Sequence, residues 1–403
     1  MWWMPAMVTP RAGDWQTFSL LSGSSSSIFQ NVKIEYAGNA NNPGDTNWLR
    51  TAVVIDSSAA QFQNIQVLNS DVTAIRIQNG SNPVLTNVDV EGSAHGGIPF
   101  SMDFSSNPAL TNITSSGNGF EAVVIDGGTL PGDREWNLTT LPYVLGGNVV
   151  VPQNVILKID PGAVVKLTSG QLFTINGTLS AAGTTLAPIT FTSRRDQSVF
   201  GDTFHAGPQT PATGDWQAIN LLAGSDASVL QNVLIDYAGN LNTPGDTNWL
   251  RNSLLLDHTT AHLQNVRVLN GDVTGIRIQN VATGTLDHVD VENSAHGGVP
   301  FSMDLASNPA LSNLTESGNG IDAFYLDGGT IPANREWNVT NMPYMLNASM
   351  TVPAGLTLTL DPGVVVKMAT GQLFTVNGTL SAASTPATST TPATRTGGGR
   401  LLI

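Results

Sequence analysis

Two repeated sets of residues have the types and spacing to do acid–base or carboxylate chemistry. Asp56, Gln78, Asp103 and Asp126 each follow a short apolar run: Ile55, Ile77, Met102 and Ile125 precede them. Arg76 stands two residues before Gln78. The set returns as Asp257, Gln279, Asp304 and Asp327, with Arg277. If each run is one turn of a stacked β structure, successive turns lie about 4.8 Å apart. Asp103 and Asp126, and likewise Asp304 and Asp327, then sit about 5–6 Å apart, close to the separation of a retaining glycosidase pair. Arg76 and Arg277 project from the same face. The competing reading is that these aspartates satisfy backbone groups at strand ends.

His95, in Ser93-Ala94-His95-Gly96-Gly97, and its repeat His296 add a group that titrates near neutrality. One histidine per repeat makes no metal cluster, and no serine-nucleophile motif accompanies it. A packed corner histidine fits the same pattern. Trp48 and Trp249, with Asp45 and Asp246, lie on two Gly/Pro/Asn-rich insertions, Tyr36–Trp48 and Tyr237–Trp249. Loops carried on a scaffold are where binding concentrates, and an indole face can stack on a sugar ring or lid an open surface.

The elements that must position these groups are short strands. From Tyr143 to Ser193, runs such as Val149-Val150-Val151 and Leu172-Phe173-Thr174-Ile175 alternate with breakers such as Asp160-Pro161-Gly162 and Asn176-Gly177. Three- to five-residue strand formers between turn residues mark an all-β chain. Helical periodicity is absent from the stretch. The stretch recurs from Tyr344: 361 minus 160 and 367 minus 166 both give 201, linking Asp160 to Asp361 and Lys166 to Lys367. The chain is therefore two tandem copies of a unit of about 201 residues.

Looser repeats lie inside each unit. Asn31, Asn64, Asn87 and Asn112 close the patterns Phe29-Gln30-Asn31, Phe62-Gln63-Asn64, Leu85-Thr86-Asn87 and Leu110-Thr111-Asn112. Their spacings of 33, 23 and 25 residues fit single turns of a parallel β-helix. Stacked Asn side chains can hydrogen-bond from turn to turn and tolerate corner conformations. The expected architecture is all-β: a right-handed parallel β-helix, with both copies stacked into one rod. The expected divisions are a truncated lead-in over 1–12, copy one over 13–213 with a linker loop at 194–213, and copy two over 214–383. A Thr/Pro/Gly-rich tail over 384–403 has the composition of a disordered segment.

Composition narrows the partners. The formal charge is −14, and the 16 Lys and Arg form no cluster, which argues against nucleic acid. No apolar run is long enough to span a membrane. Zero cysteines exclude disulfides and thiol chemistry. Only 11% of residues are charged, so Ser, Thr, Asn and Gly cover much of the surface, as in extracellular β-rich proteins. Copy one begins part-way through a unit, which suggests a piece of a longer repeat array.

Two motifs carry a family resemblance. One is the V-x-L-x-I-D-P-G-x-V-V-K-L…G-T-L-x-A-x-G-T…P-I-T-F-T-S run over Asn154 to Ser193, repeated from Val352 to Ala382. The other is Gly214-Asp215-Trp216. Together they resemble large secreted bacterial right-handed parallel β-helix proteins of the pectate-lyase-like architecture. The resemblance implies an extracellular or cell-surface location and a polysaccharide or surface glycan as partner. It also implies an acidic linker that holds calcium. Asp196 and Asp202 match that linker, but Arg195, Phe200, Phe204 and Ala206 depart from it, and a hard cation needs six or more oxygens; no cofactor is assigned. The function expected is a structural or adhesive module that binds carbohydrate. The alternative is a polysaccharide lyase or glycoside hydrolase that uses the outward carboxylates.

Overall fold

The structure, a computed structural model, describes residues 9–38, 50–239, 251–383 and 400–402, with no side-chain account of the last three. It is all-β. Parallel strands stack as a β-solenoid of about 13 turns, with no helix among the described residues. The chain divides into two compact units that are cut at different places from the sequence copies. One comprises 1–148, 163–167 and 194–210; the other comprises 149–162, 168–193 and 211–403.

In the first unit, Phe18–Leu20, Thr51–Asp56, Thr73–Gln78, Ile98–Met102, Val123–Ile125, Tyr143–Leu145 and Val164–Leu167 pair in parallel, one strand per turn. Register aligns Ile55, Ile77, Met102, Ile125, Leu145 and Leu167 in one inward column, each at most 3% exposed. No single turn can bury this column. Each side chain is sealed by the turns on either side, at about 1.5–3 kcal/mol apiece.

A second sheet runs Ile28–Glu35, Gln61–Leu68, Val84–Glu91 and Ala109–Ser116. Its Asn31, Asn64, Asn87 and Asn112 all adopt positive φ, between 51° and 57°. This left-handed kink breaks the two-residue alternation, so that Phe62 and Ile65, three apart, both face inward. The four amides donate in series along the stack: Asn64 Nδ2 to Asn31 Oδ1 at 2.9 Å, Asn87 to Asn64 at 2.8 Å, and Asn112 to Asn87 at 2.9 Å.

In the second unit, Leu172–Ile175, Ala218–Leu221, Asn252–Asp257, Thr274–Gln279, Val299–Met303, Phe324–Leu326, Tyr344–Leu346 and Val365–Met368 form the equivalent parallel stack. The corner kink recurs at Asn232, Asn265, His288 and Asn313, all with positive φ.

Candidate functional site

The corner aspartates stand on neighbouring turns, but each carboxylate has its own employment. Asp103 N donates to Ile77 O at 3.2 Å, and Asp126 N donates to Met102 O at 2.9 Å, so the backbone continues the ladder at both. The Asp103 carboxylate turns to its own corner. It accepts from Asn79 N at 2.7 Å, Ser105 Oγ at 2.9 Å and Ser106 N at 2.9 Å. Burial pushes Asp103 up, but those donors outweigh it and hold the acid below the ordinary carboxylate range. A glycosidase general acid needs the opposite shift. Asp304 repeats the arrangement, accepting from Asn280 N and Ser307 N, both at 2.7 Å.

Asp126 is taken by an arginine. Arg76, 5% exposed, reaches across two turns and grips it with both terminal nitrogens, Nη1 to Oδ1 at 3.2 Å and Nη2 to Oδ2 at 2.6 Å. Ser101 and then Val124 are the register neighbours of Arg76 on the next two turns. Ser101 Oγ and Gln78 Oε1 accept two further bonds, at 3.4 and 3.3 Å. Bidentate charge-assisted pairs of this kind are strong and orienting. Arg277 grips Asp327 in the same way, at 3.0 and 2.7 Å. The sequence placed Arg76 on the open face beside Asp103. Instead it is buried and bonded to Asp126, one turn further on.

His95 is a corner residue with φ of 48°. Its Nδ1 lies 2.7 Å from Asp71 Oδ1, and Asp71 is completely buried. The other Asp71 oxygen meets the buried Arg50 guanidinium. The ring itself stays 39% exposed. His296, Asp272 and Arg251 repeat the triad, with Nδ1 2.6 Å from Asp272 Oδ1. Sequence reasoning missed Asp71 as the partner of His95. Its signal was the recurrence of Asp71-Val72-Thr73 as Asp272-Val273-Thr274, together with Arg50 and Arg251. Gly38 is part of the same construction: at φ of 118°, a Cβ there would come within 2.8 Å of Asp71 Cβ.

His95 and Asp126 share an open cavity of about 660 Å³, also lined by Val72, Ile98, Ser101, Phe120 and Val124. The Phe120 wall is braced from behind. Phe204 packs edge-on against Phe120 at 4.8 Å between centroids, and the Arg194 guanidinium lies 5.4 Å over Phe204. Thr203 O accepts from Glu121 N at 2.9 Å. Copy two carries Ile321 where Phe120 stands, Tyr325 for Val124 and Asn347 for Gly146. Burial, and then Asp327, push the Tyr325 hydroxyl up.

The linker does not fit the calcium that the resemblance implied. Asp196 Oδ1 accepts from Ser198 N and Oγ at 2.9 and 2.6 Å, and the Asp202 carboxylate accepts from Ala206 N and Gly207 N. The fully buried Lys166 ammonium donates to Asp196 O at 2.9 Å and Thr203 Oγ1 at 2.6 Å, so the loop oxygens already face a cation. Burial pushes that ammonium down to about 8. Among the described residues no group of three or more His, Asp and Glu is placed to hold a metal ion. Trp48, Trp249, Asp45 and Asp246 lie outside the described residues, as does the 384–399 part of the tail.

Comparisons with known families, with curated proteins and with solved structures find no match.

Proposed function

We propose that this chain is a secreted or cell-surface structural and adhesive module, and that the copy-one cavity binds a neutral carbohydrate. The observation that carries the reading is the cavity lining: an aromatic wall at Phe120 beside polar groups at His95, Ser101 and Asp126. Phe120 offers a flat apolar face for a sugar ring, and the polar groups fit hydroxyls. Arg76 neutralises Asp126, and the chain's charge of −14 repels polyanions, so the preferred glycan is uncharged. The four candidate carboxylates argue against hydrolysis at the corner column, since Asp103 and Asp304 cap corners while Asp126 and Asp327 are paired.

A lyase or glycoside hydrolase remains the second reading. It is favoured by one observation: the His95 ring, oriented by a buried carboxylate, faces the same cavity as Asp126. A screen of neutral and acidic oligosaccharides separates the two. The module reading expects binding of a neutral glycan without turnover, weakened about tenfold or more by Phe120→Ala. Turnover that disappears in His95→Ala and survives in Asp103→Ala would install the enzyme instead.

A further inference from the structure

We infer that residues 194–210 form a strap that fixes the Phe120 wall of the copy-one cavity, with Lys166 and Phe204 as the positioning residues that hold it there. The consequence for binding rests on the glycan reading given above. The strap belongs to the first unit. It starts beside the lysine, where Arg194 N donates to Leu167 O at 2.8 Å. Register places Lys166 two turns beyond Val124, in the outward column whose Ser101 and Val124 line the cavity.

The strap has a backbone that needs holding. Phe200 and His205 have φ of 56° and 46°, a left-handed conformation that is disfavoured for residues other than glycine and persists where the surroundings enforce it. Its own bonds close only the far turn: Asp202 accepts from Ala206 N and Gly207 N, and Gln197 Nε2 donates to Gly207 O at 2.7 Å. The rest of the hold comes from outside, and it converges on Thr203 and Phe204. Thr203 is buried and gripped twice: its hydroxyl accepts from Lys166 Nζ at 2.6 Å and its carbonyl from Glu121 N at 2.9 Å. The next residue, Phe204, sets its ring at 74° to Phe120. Lysine and strap depend on each other. An ammonium buried without acceptors is costly, and Lys166, at 0% exposed, finds its acceptors in the strap, at Asp196 O and Thr203 Oγ1.

The same positions in copy two are less enclosed. Lys367, the counterpart of Lys166, is half-buried, and Ile321, the counterpart of Phe120, is 40% exposed.

Hydrogen exchange of the full chain, followed by mass spectrometry, reads the strap. Titration with the neutral oligosaccharide found by the screen reads its consequence. Lys166→Met keeps the apolar stem and removes the donor. Phe204→Ala removes the ring and leaves the buried lysine in place, so it carries the test if Lys166→Met fails to fold. In both, exchange at Glu121 should rise about tenfold or more, while exchange at Asp126, whose N–H Met102 O accepts, stays as in the wild type. Oligosaccharide binding should weaken about tenfold in each. It should weaken no further when Phe204→Ala is added to Phe120→Ala, because the second ring acts through the first. Unchanged exchange at Glu121 in both variants overturns the inference. So does a Phe204→Ala loss that persists in full in the Phe120→Ala background. A wild type that binds no neutral oligosaccharide removes the glycan reading, and exchange at Glu121 then decides the strap by itself.

Discussion

The two copies share their scaffold and differ around one surface. Asp103, Arg76, Asp71 and His95 have counterparts of the same type in copy two, making the same bonds save the one from Ser105, which Ala306 replaces. Phe120 and Val124 do not: Ile321 and Tyr325 replace them. Two further exchanges lie at the corners and the outer face, Asn87 to His288 and Ser115 to Glu316. The polar residues that looked most like catalysts are thus the repeated structural parts. The side chains that shape the cavity have diverged. A duplicated corner must be capped in every copy, whereas a cavity needs its wall only where it binds.

The largest effect should come from the shared scaffold. Asp71→Ala leaves Arg50 buried without its carboxylate, and should cost about 3–5 kcal/mol by urea unfolding. Asp272→Ala should cost the same in copy two, where Arg251 is stranded instead. Unequal losses would show that the two networks are not the same device.

Asp103→Ala comes next, at about 1–2 kcal/mol, because three donors lose one acceptor. Glycan binding should be unchanged. A binding loss with full stability would return Asp103 to the site.

The Ser115/Glu316 difference predicts a pH dependence private to copy two. Burial, and then Asp322, push Glu316 up to about 7 from 4.5. The folded state then holds more protons than the unfolded chain between those values. The contribution of this group is full below about 4.5 and is lost as pH rises through 7. Glu316→Ser should flatten that part of the stability profile, on the order of 1 kcal/mol after solvent screening. A slope that survives the substitution has another source.

The smallest effect concerns the amide ladder. Copy one is continuous, whereas in copy two Asn313 reaches His288 Nδ1 only at 3.4 Å and gives its better bond to Asp287, at 2.8 Å. His288→Asn should restore the series and stabilise by about 0.5–1 kcal/mol, read as a shift in urea midpoint. Asn87→His should undo copy one by a similar amount.

The stacked β fold was legible because it rests on local signals. Period-two apolar runs, turn residues and the Asn spacing each report a single turn, and repetition multiplies them. The ordered row of polar corner residues was legible for the same reason. Their partners were not, because partnership depends on side-chain reach. Arg76 skips Asp103 for Asp126, 50 residues on in sequence. Asp71 recurs as Asp272, but the recurrence does not name His95, 24 residues away, as its partner, since their meeting depends on the corner geometry at Gly38 and His95. The cavity was invisible in sequence, because its lining, from Val72 to Gly146, comes from separate turns.

The central proposal is that copy one binds the glycan at the cavity lined by Val124, a position that carries the bulkier Tyr325 in copy two. Calorimetric titration of the neutral oligosaccharide selected by the screen tests it most directly. The account predicts one site per chain in the wild type, and none in Val124→Tyr with unfolding unchanged. Undiminished binding by Val124→Tyr, or two equal sites in the wild type, would contradict it.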